Sequence, residues 1–133
     1  MYEYKCKVTR VVDGDTVDID IDLGFGVWLH KERVRIHGID TPESRTRDKV
    51  EKRFGLLAKE FVKKFVKGSD VILTTQKYDA KGKFGRILGD IMVDGKSLAQ
   101  TMIEEHHAVA YHGQSKEDIR EAHLANRKKV KII

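Results

Sequence analysis

With 133 residues, 40% hydrophobic and 35% charged, the chain is too apolar for a disordered segment. It is long enough to form one domain over residues 1–133 that buries roughly two-thirds of its unfolded surface. A net charge of +5 at pH 7 and a pI near 9.3 favour an anionic partner, nucleic acid foremost.

The N-terminal MYEYKCKVTR holds the lone cysteine, Cys6, which excludes an internal disulfide, and it has no apolar export region. No stretch approaches membrane-spanning length, so the expected setting is cytoplasmic, reducing and away from membranes. Residues 3–12 then alternate apolar and polar only roughly, whereas Val17, Ile19 and Ile21 alternate strictly with Asp18, Asp20 and Asp22. Beyond Gly24-Phe25-Gly26, Val34 and Ile36 oppose Arg33, Arg35 and His37. These patterns predict strands near 3–12, 15–23 and 28–39. Val50, Phe54, Leu57, Phe61, Val62 and Phe65 recur at helical spacing from about 49 to 67, with Gly68 as the expected stop. Val71–Thr75 and Arg86–Val93 predict two more strands, and Asp94-Gly95 turns into a helix near 97–106. A last helix is expected over about 116–129, the basic 127-RKKVK-131 complementing its C-terminus. Five strands interrupted by one helix and followed by two predict an α+β fold, a five-stranded OB-type β-barrel with three α-helices. Closure removes the edges that an open sheet of this size would expose.

Two acidic turns stand out within this frame. Asp13-Gly14-Asp15-Thr16 enters the second strand, and 34-VRIHGIDTPE-43 ends the third with Asp40 and Glu43 around Pro42, the only proline. Each alone reads first as an ordinary turn or loop cap. Antiparallel pairing of the second and third strands, however, brings the start of one beside the end of the other, so Asp15 and Asp40 are expected to converge. Two carboxylates and a backbone carbonyl make a hard-oxygen site suited to Ca²⁺ or Mg²⁺. A zinc site lacks its ligand spacing, because His106 and His107 are adjacent and no second cysteine exists. An EF-hand starting at Asp18 fails at Leu23 and Leu29, leaving Asp18, Asp20 and Asp22 as a solvated strand face.

Arg35 lies on the strand that delivers the carboxylates, and Arg86 follows the flexible, basic 82-GKFG-85. Forked guanidinium donors match phosphate oxygens and remain charged at any working pH. Two of them flanking a metal site meet the charge that builds on a phosphodiester during hydrolysis. Glu43 is placed to accept a proton from water or to orient it. Gly38 lets the strand turn, and Pro42 fixes the backbone where these groups must be held.

The segments 13-DGDT-16, 35-RIHGIDTPE-43 and 82-GKFGR-86, with 94-DGKSLAQTMIEE-105, resemble the staphylococcal nuclease (thermonuclease-like) family in order and spacing over nearly the whole chain. The resemblance implies an OB-type barrel and Ca²⁺-dependent hydrolysis of DNA and RNA that leaves 3′-phosphates, with Ca²⁺ preferred to Mg²⁺. By motif it makes Asp15 and Asp40 carboxylate ligands of the metal and Thr41 a main-chain ligand, with Asp13 just outside. It assigns Arg35 and Arg86 to the scissile phosphate, Glu43 to the attacking water, and Lys83, Phe84 and Tyr111 to the nucleotide pocket. Phe84 stands where a tyrosine is usual, which keeps a stacking surface and loses a hydroxyl. His112-Gly113 follows Tyr111 where a second tyrosine is the rule. The longer link from Gly24 to His30 resembles bacteriophage-borne members. The partners so implied are DNA and RNA, met by a monomer. The rival from another class is a noncatalytic OB-type module binding single strands, which fold alone does not separate from a nuclease. Only a nuclease needs Asp15, Arg35, Asp40, Glu43 and Arg86 together.

Other residues read more plainly. The lysines of 49–67 form a solvated face, while Arg45, Arg47 and Lys49 are placed to track a nucleic-acid backbone. Phe25 and Trp28 are expected to pack, and His106, His107, His112 and His123 show no spacing that suggests a catalytic role.

Overall fold

A computed structural model describes residues 2–75 and 85–130. Strand β1 (Tyr2–Asp13) pairs antiparallel with β2 (Thr16–Gly24), and β2 with β3 (Val27–Ile36). The other edge of β1 takes β5 (Val71–Thr75), which pairs with β6 (Ile87–Val93). β6 then returns to β3 in parallel, Val34 beside Ile87 and Arg35 beside Leu88, and this seam closes a five-stranded mixed barrel. Two-residue strands β4 (Ile39–Asp40) and β8 (Val109–Ala110) pair with each other outside it, and β7 (Lys96–Ser97) extends the β6 edge. Helices α1 (Lys49–Phe65), α2 (Leu98–Glu104) and α3 (Lys116–Arg127) complete the α+β fold expected from the strand and helix patterns.

The strict alternation of β2 puts Val17, Ile19 and Ile21 in the core with Val34, Ile36, Leu73 and Ile91. Ala58 and Val62 of α1 and Leu98 and Met102 of α2 pack onto the same cluster. Each large aliphatic side chain buried this way contributes about 1.5–3 kcal/mol. Irregular alternation in β1 has a physical cause: the register shifts between Val8 and Arg10 and again between Val11 and Asp13. The second shift turns consecutive residues Val11 and Val12 both inward. The outward aspartates of β2 are indeed a strand face, tied to β3 by Arg33 on Asp18 at 2.9 Å and by the Lys31 amide donating to Asp20 at 3.0 Å.

Three expectations shift. β3 ends at Ile36 rather than 39, because Gly38 adopts φ 83 and breaks the chain into β4. α1 ends at Phe65, before Gly68: the Val66 amide still bonds the Val62 carbonyl at 3.0 Å, whereas Lys67 reaches back only to Lys64 at 3.4 Å. Phe25 does not pack; Gly24, Phe25 and Gly26 all have positive φ and the hairpin tip throws the ring fully into solvent. Trp28 is half-buried beneath the Lys7 ammonium, 5.2 Å from the ring centre.

Candidate active site

β2–β3 pairing sets Thr16 opposite Arg35, which draws the β1–β2 turn onto the end of β3. The Ile36 amide donates to the Asp15 carbonyl at 2.8 Å, and the Thr16 hydroxyl donates to Asp15 Oδ1 at 3.0 Å. Arg35 Nη1 donates to the Ile36 carbonyl at 2.6 Å, which fixes the plane of the guanidinium. Its Nη2 then lies 3.5 Å from Asp15 Oδ2 and 3.9 Å from Asp40 Oδ1. Two carboxylates 25 positions apart in sequence thus meet around a single nitrogen. With Arg35 only 19% and Asp15 only 16% exposed, this attraction is screened far less than a surface ion pair.

Asp40 is delivered by β4, whose pairing with β8 places Asp40 beside Val109. The Tyr111 amide donates to the Gly38 carbonyl at 2.8 Å, so the exposed Tyr111 ring leaves the chain at the same corner. The second oxygen of Asp40, Oδ2, lies 2.8 Å from Nε2 of His123 on α3.

Helix α1 supplies the third wall. Asp48 caps its N-terminus, accepting from the Val50 and Glu51 amides. Its inward face is unusually small at Gly55 and Ala58. A Cβ on Gly55 would lie 2.5 Å from the Glu43 carbonyl carbon and 2.7 Å from the Ser44 nitrogen. A Cβ on Gly14 would lie 2.9 Å from Ala58 Cβ and 3.2 Å from Thr41. Glycine at both positions lets the two acidic loops press against one helix and against each other. The buried Ser44 hydroxyl donates to Asp13, tying the loops side to side.

Glu43 faces open solvent, yet its carboxyl is raised above the ordinary range. Partial burial is the main cause, followed by repulsion from Asp13, Asp15, Asp40 and Glu51. That crowding of negative charge is a potential suited to a divalent cation. Among the described residues no three His, Cys, Asp or Glu side chains form a ready-made cage. The donor chemistry nevertheless fits a hard cation: carboxylates from Asp15 and Asp40, with main-chain oxygen and water to complete the shell.

The remaining residues singled out by motif divide clearly. Thr41 is buried directly after Asp40. Arg86 immediately precedes β6, in phase with Leu88, the partner of Arg35, so both arginines stand on the outward side of the β3–β6 seam. Lys83 and Phe84 lie outside the described residues. Arg45, Arg47 and Lys49 are exposed beside this corner. Sequence reasoning missed His123, separated from Asp40 by 83 residues with no spacing to connect them. It also missed Gly55, for which a signal existed: a glycine inside an amphipathic helix is costly and asks for a packing reason.

The sequence also matches known proteins. Residues 33–131 match the family model described as staphylococcal nuclease homologue. A thermonuclease of Staphylococcus intermedius is 38% identical over 98 residues, covering 74% of this chain and 54% of that protein. Endonuclease YncB of Bacillus subtilis is 35% identical over 96 residues, covering 72% of this chain and 43% of its own. The SPbeta prophage-derived endonuclease YokF of the same organism is 32% identical over 96 residues, covering 72% and 30%. The chain therefore spans less than half the length of those two Bacillus relatives.

Proposed function

The chain belongs to the staphylococcal nuclease family, and we infer that it is a metal-dependent nuclease that hydrolyses DNA and RNA with little sequence discrimination and leaves 3′-phosphates. The single observation that carries this reading is the placement of Asp15 and Asp40 within 4 Å of the same Arg35 nitrogen, at 3.5 and 3.9 Å. A noncatalytic single-strand binder has no use for two partly desolvated carboxylates in the path of a phosphate.

Asp15, Asp40 and the Thr41 main-chain carbonyl would hold the cation. Ca²⁺ suits them better than Mg²⁺, since loop-borne ligands tolerate irregular coordination that Mg²⁺ resists. When bound, it supplies positive charge against the nonbridging phosphate oxygens. Arg35 and Arg86 hold the phosphate through forked N–H donors and stabilise the charge that grows on it. Glu43, carried on the same loop as Asp40 and Thr41, takes a proton from water as the water oxygen bonds to phosphorus. The P–O5′ bond breaks on the opposite side, and the departing 5′-oxygen collects a proton from solvent. Lys83, Phe84 and Tyr111 receive the adjoining nucleotide, Phe84 and Tyr111 by stacking. Exposed Arg45, Arg47 and Lys49 extend the positive track for the strand, and the chain acts as a monomer in the cytoplasm.

Incubation of supercoiled plasmid and of RNA with the chain in Ca²⁺, Mg²⁺ and chelator tests this directly. Cleavage with Ca²⁺ that chelator abolishes is the expected result. Undiminished cleavage in chelator removes the cation from the reaction, and retardation without cleavage in any lane favours the binding module.

A further inference from the structure

We propose that His123 is a positioning residue for cation binding. It holds Oδ2 of Asp40 so that Oδ1 stays turned toward Arg35 and the proposed cation site. This role presupposes the cation site proposed for Asp15, Asp40 and Thr41.

The contact is short, shielded and one-directional. His123 Nε2 and Asp40 Oδ2 are 2.8 Å apart, and the His123 side chain is only 13% exposed. An ionised carboxylate has lone pairs and no proton, so the imidazole N–H donates. The opposite oxygen, Oδ1, faces Arg35 at 3.9 Å. Each oxygen of Asp40 therefore has its own partner on its own side, and rotation of the carboxylate would sacrifice one to gain nothing at the other. An aspartate pinned in this way offers a single oxygen to the cation.

Among the described residues, α3 is held by partly buried side chains and a few polar contacts. None of its residues is fully buried. Besides His123, its contacts toward the rest of the molecule include Asn126 Nδ2 donating to the Ala108 carbonyl at 3.3 Å and the Arg127 guanidinium 5.4 Å from the Phe54 ring. His123, Asn126 and Arg127 share a crevice with Pro42 and Phe54, so the helix rests on the same loop that carries Asp40 and Glu43. Partners that orient a ligating side chain are worth about 10–100-fold in metal affinity.

Calorimetric Ca²⁺ titration of the full chain, with its His123→Ala, His123→Gln, Asn126→Ala and Asp40→Ala variants, tests the assignment. Helix content of each variant is checked by circular dichroism. His123→Ala is expected to bind Ca²⁺ about tenfold more weakly. His123→Gln, which returns an N–H donor, is expected to recover most of that loss. Asn126→Ala loosens α3 without touching Asp40 and is expected to stay within about twofold of the parent. If His123→Ala destabilises the fold, the Gln variant against the Asn126→Ala control still decides. Ca²⁺ binding lost in Asp40→Ala but unchanged in His123→Ala overturns the role of His123 and leaves the cation site standing. Equal weakening by Asn126→Ala and His123→Ala, without rescue by Gln, also overturns it, since the histidine would then be a helix anchor alone. Absence of Ca²⁺ binding by the parent chain overturns the cation site and the His123 role together.

Discussion

Replacing Gly55 with alanine adds one methyl group where α1 meets the loop that carries Glu43. The new carbon would stand 2.5 Å from the Glu43 carbonyl carbon and 2.7 Å from the Ser44 nitrogen. Comfortable contact between such atoms begins near ~3.5 Å, so something must retreat by about 1 Å. What the methyl meets is backbone, not the end of a flexible side chain, and α1 is anchored along the same inward face by buried Ala58 and Val62. The loop is therefore the part that yields. For stability, the alanine gains about 1 kcal/mol of helix propensity, while overpacking costs about 1–3 kcal/mol. A net loss of roughly 0–2 kcal/mol is well within the 5–15 kcal/mol stability usual for a domain. For catalysis, a displacement near ~1 Å at Glu43, the group proposed to handle water, costs on the order of a hundredfold. The variant should thus stay folded and lose about two orders of magnitude in cleavage rate. Urea unfolding, cleavage at saturating Ca²⁺ and the amide resonances of Glu43 and Ser44 are measured together, with Leu56→Ala on the exposed side of α1 as control. Parent-like cleavage with unmoved Glu43 and Ser44 resonances would refute the positioning of Glu43 by this helix.

Removing Arg35 as Arg35→Ala leaves two partly buried carboxylates without their shared cation. Metal-free stability should drop by about 1–3 kcal/mol, between the surface and buried limits for ion pairs, and Ca²⁺ should restore it. A loss that Ca²⁺ fails to recover in urea titrations would show that Asp15 and Asp40 do not share the ion. His107 is held below the usual histidine pKa chiefly by burial, with its ring 4.9 Å from Phe61. Its neutral form is favoured in the fold, so the stability it contributes is present above the ordinary value near ~6.5 and is lost as pH falls through the folded value. The stability difference between the parent and His107→Leu should accordingly change between pH 7.5 and 5, and parallel unfolding curves over that range would contradict it. Burial pushes the Cys6 thiol up to about 11, so it should resist a thiol reagent at pH 8 until the chain is unfolded; native and unfolded chains reacting equally fast would argue against its burial.

What the sequence made legible is what local physics decides. A strict period of two in β2 meant one buried face, and the same pairing that buried it carried Asp15 to Asp40. The convergence was therefore readable before any coordinates, because a hairpin has only one way to bring those ends together. β4 and β8 were not readable, since two residues carry no period. Nor was the parallel β3–β6 seam, which depends on strands separated by the whole of α1 and β5. Phe25 was misread because hydrophobicity suggests burial, while consecutive positive φ angles at a hairpin tip leave nothing for the ring to pack against. His123 belongs to the same class of omission: its meaning comes entirely from where α3 lands.

The arrangement around Arg35 gives the proposed cation a further role beyond its charge. One guanidinium faces Asp15, Asp40 and the Ile36 carbonyl together, and donors spent there are not offered to a phosphate. Those contacts exist because two carboxylates and the neighbouring Asp13 and Glu43 crowd negative charge into one corner. A divalent ion held by Asp15 and Asp40, as proposed, would lower the demand on Arg35 and free its donors for the proposed phosphate substrate. Cation and phosphate should therefore bind with positive coupling, each tighter in the presence of the other. Part of that gain arises within the protein, from releasing the arginine, and only part from direct attraction between ion and phosphate. A variant with lysine at position 35 separates the two: it keeps the charge and the direct attraction, but an ammonium cannot return the two-pronged grip that the released guanidinium provides.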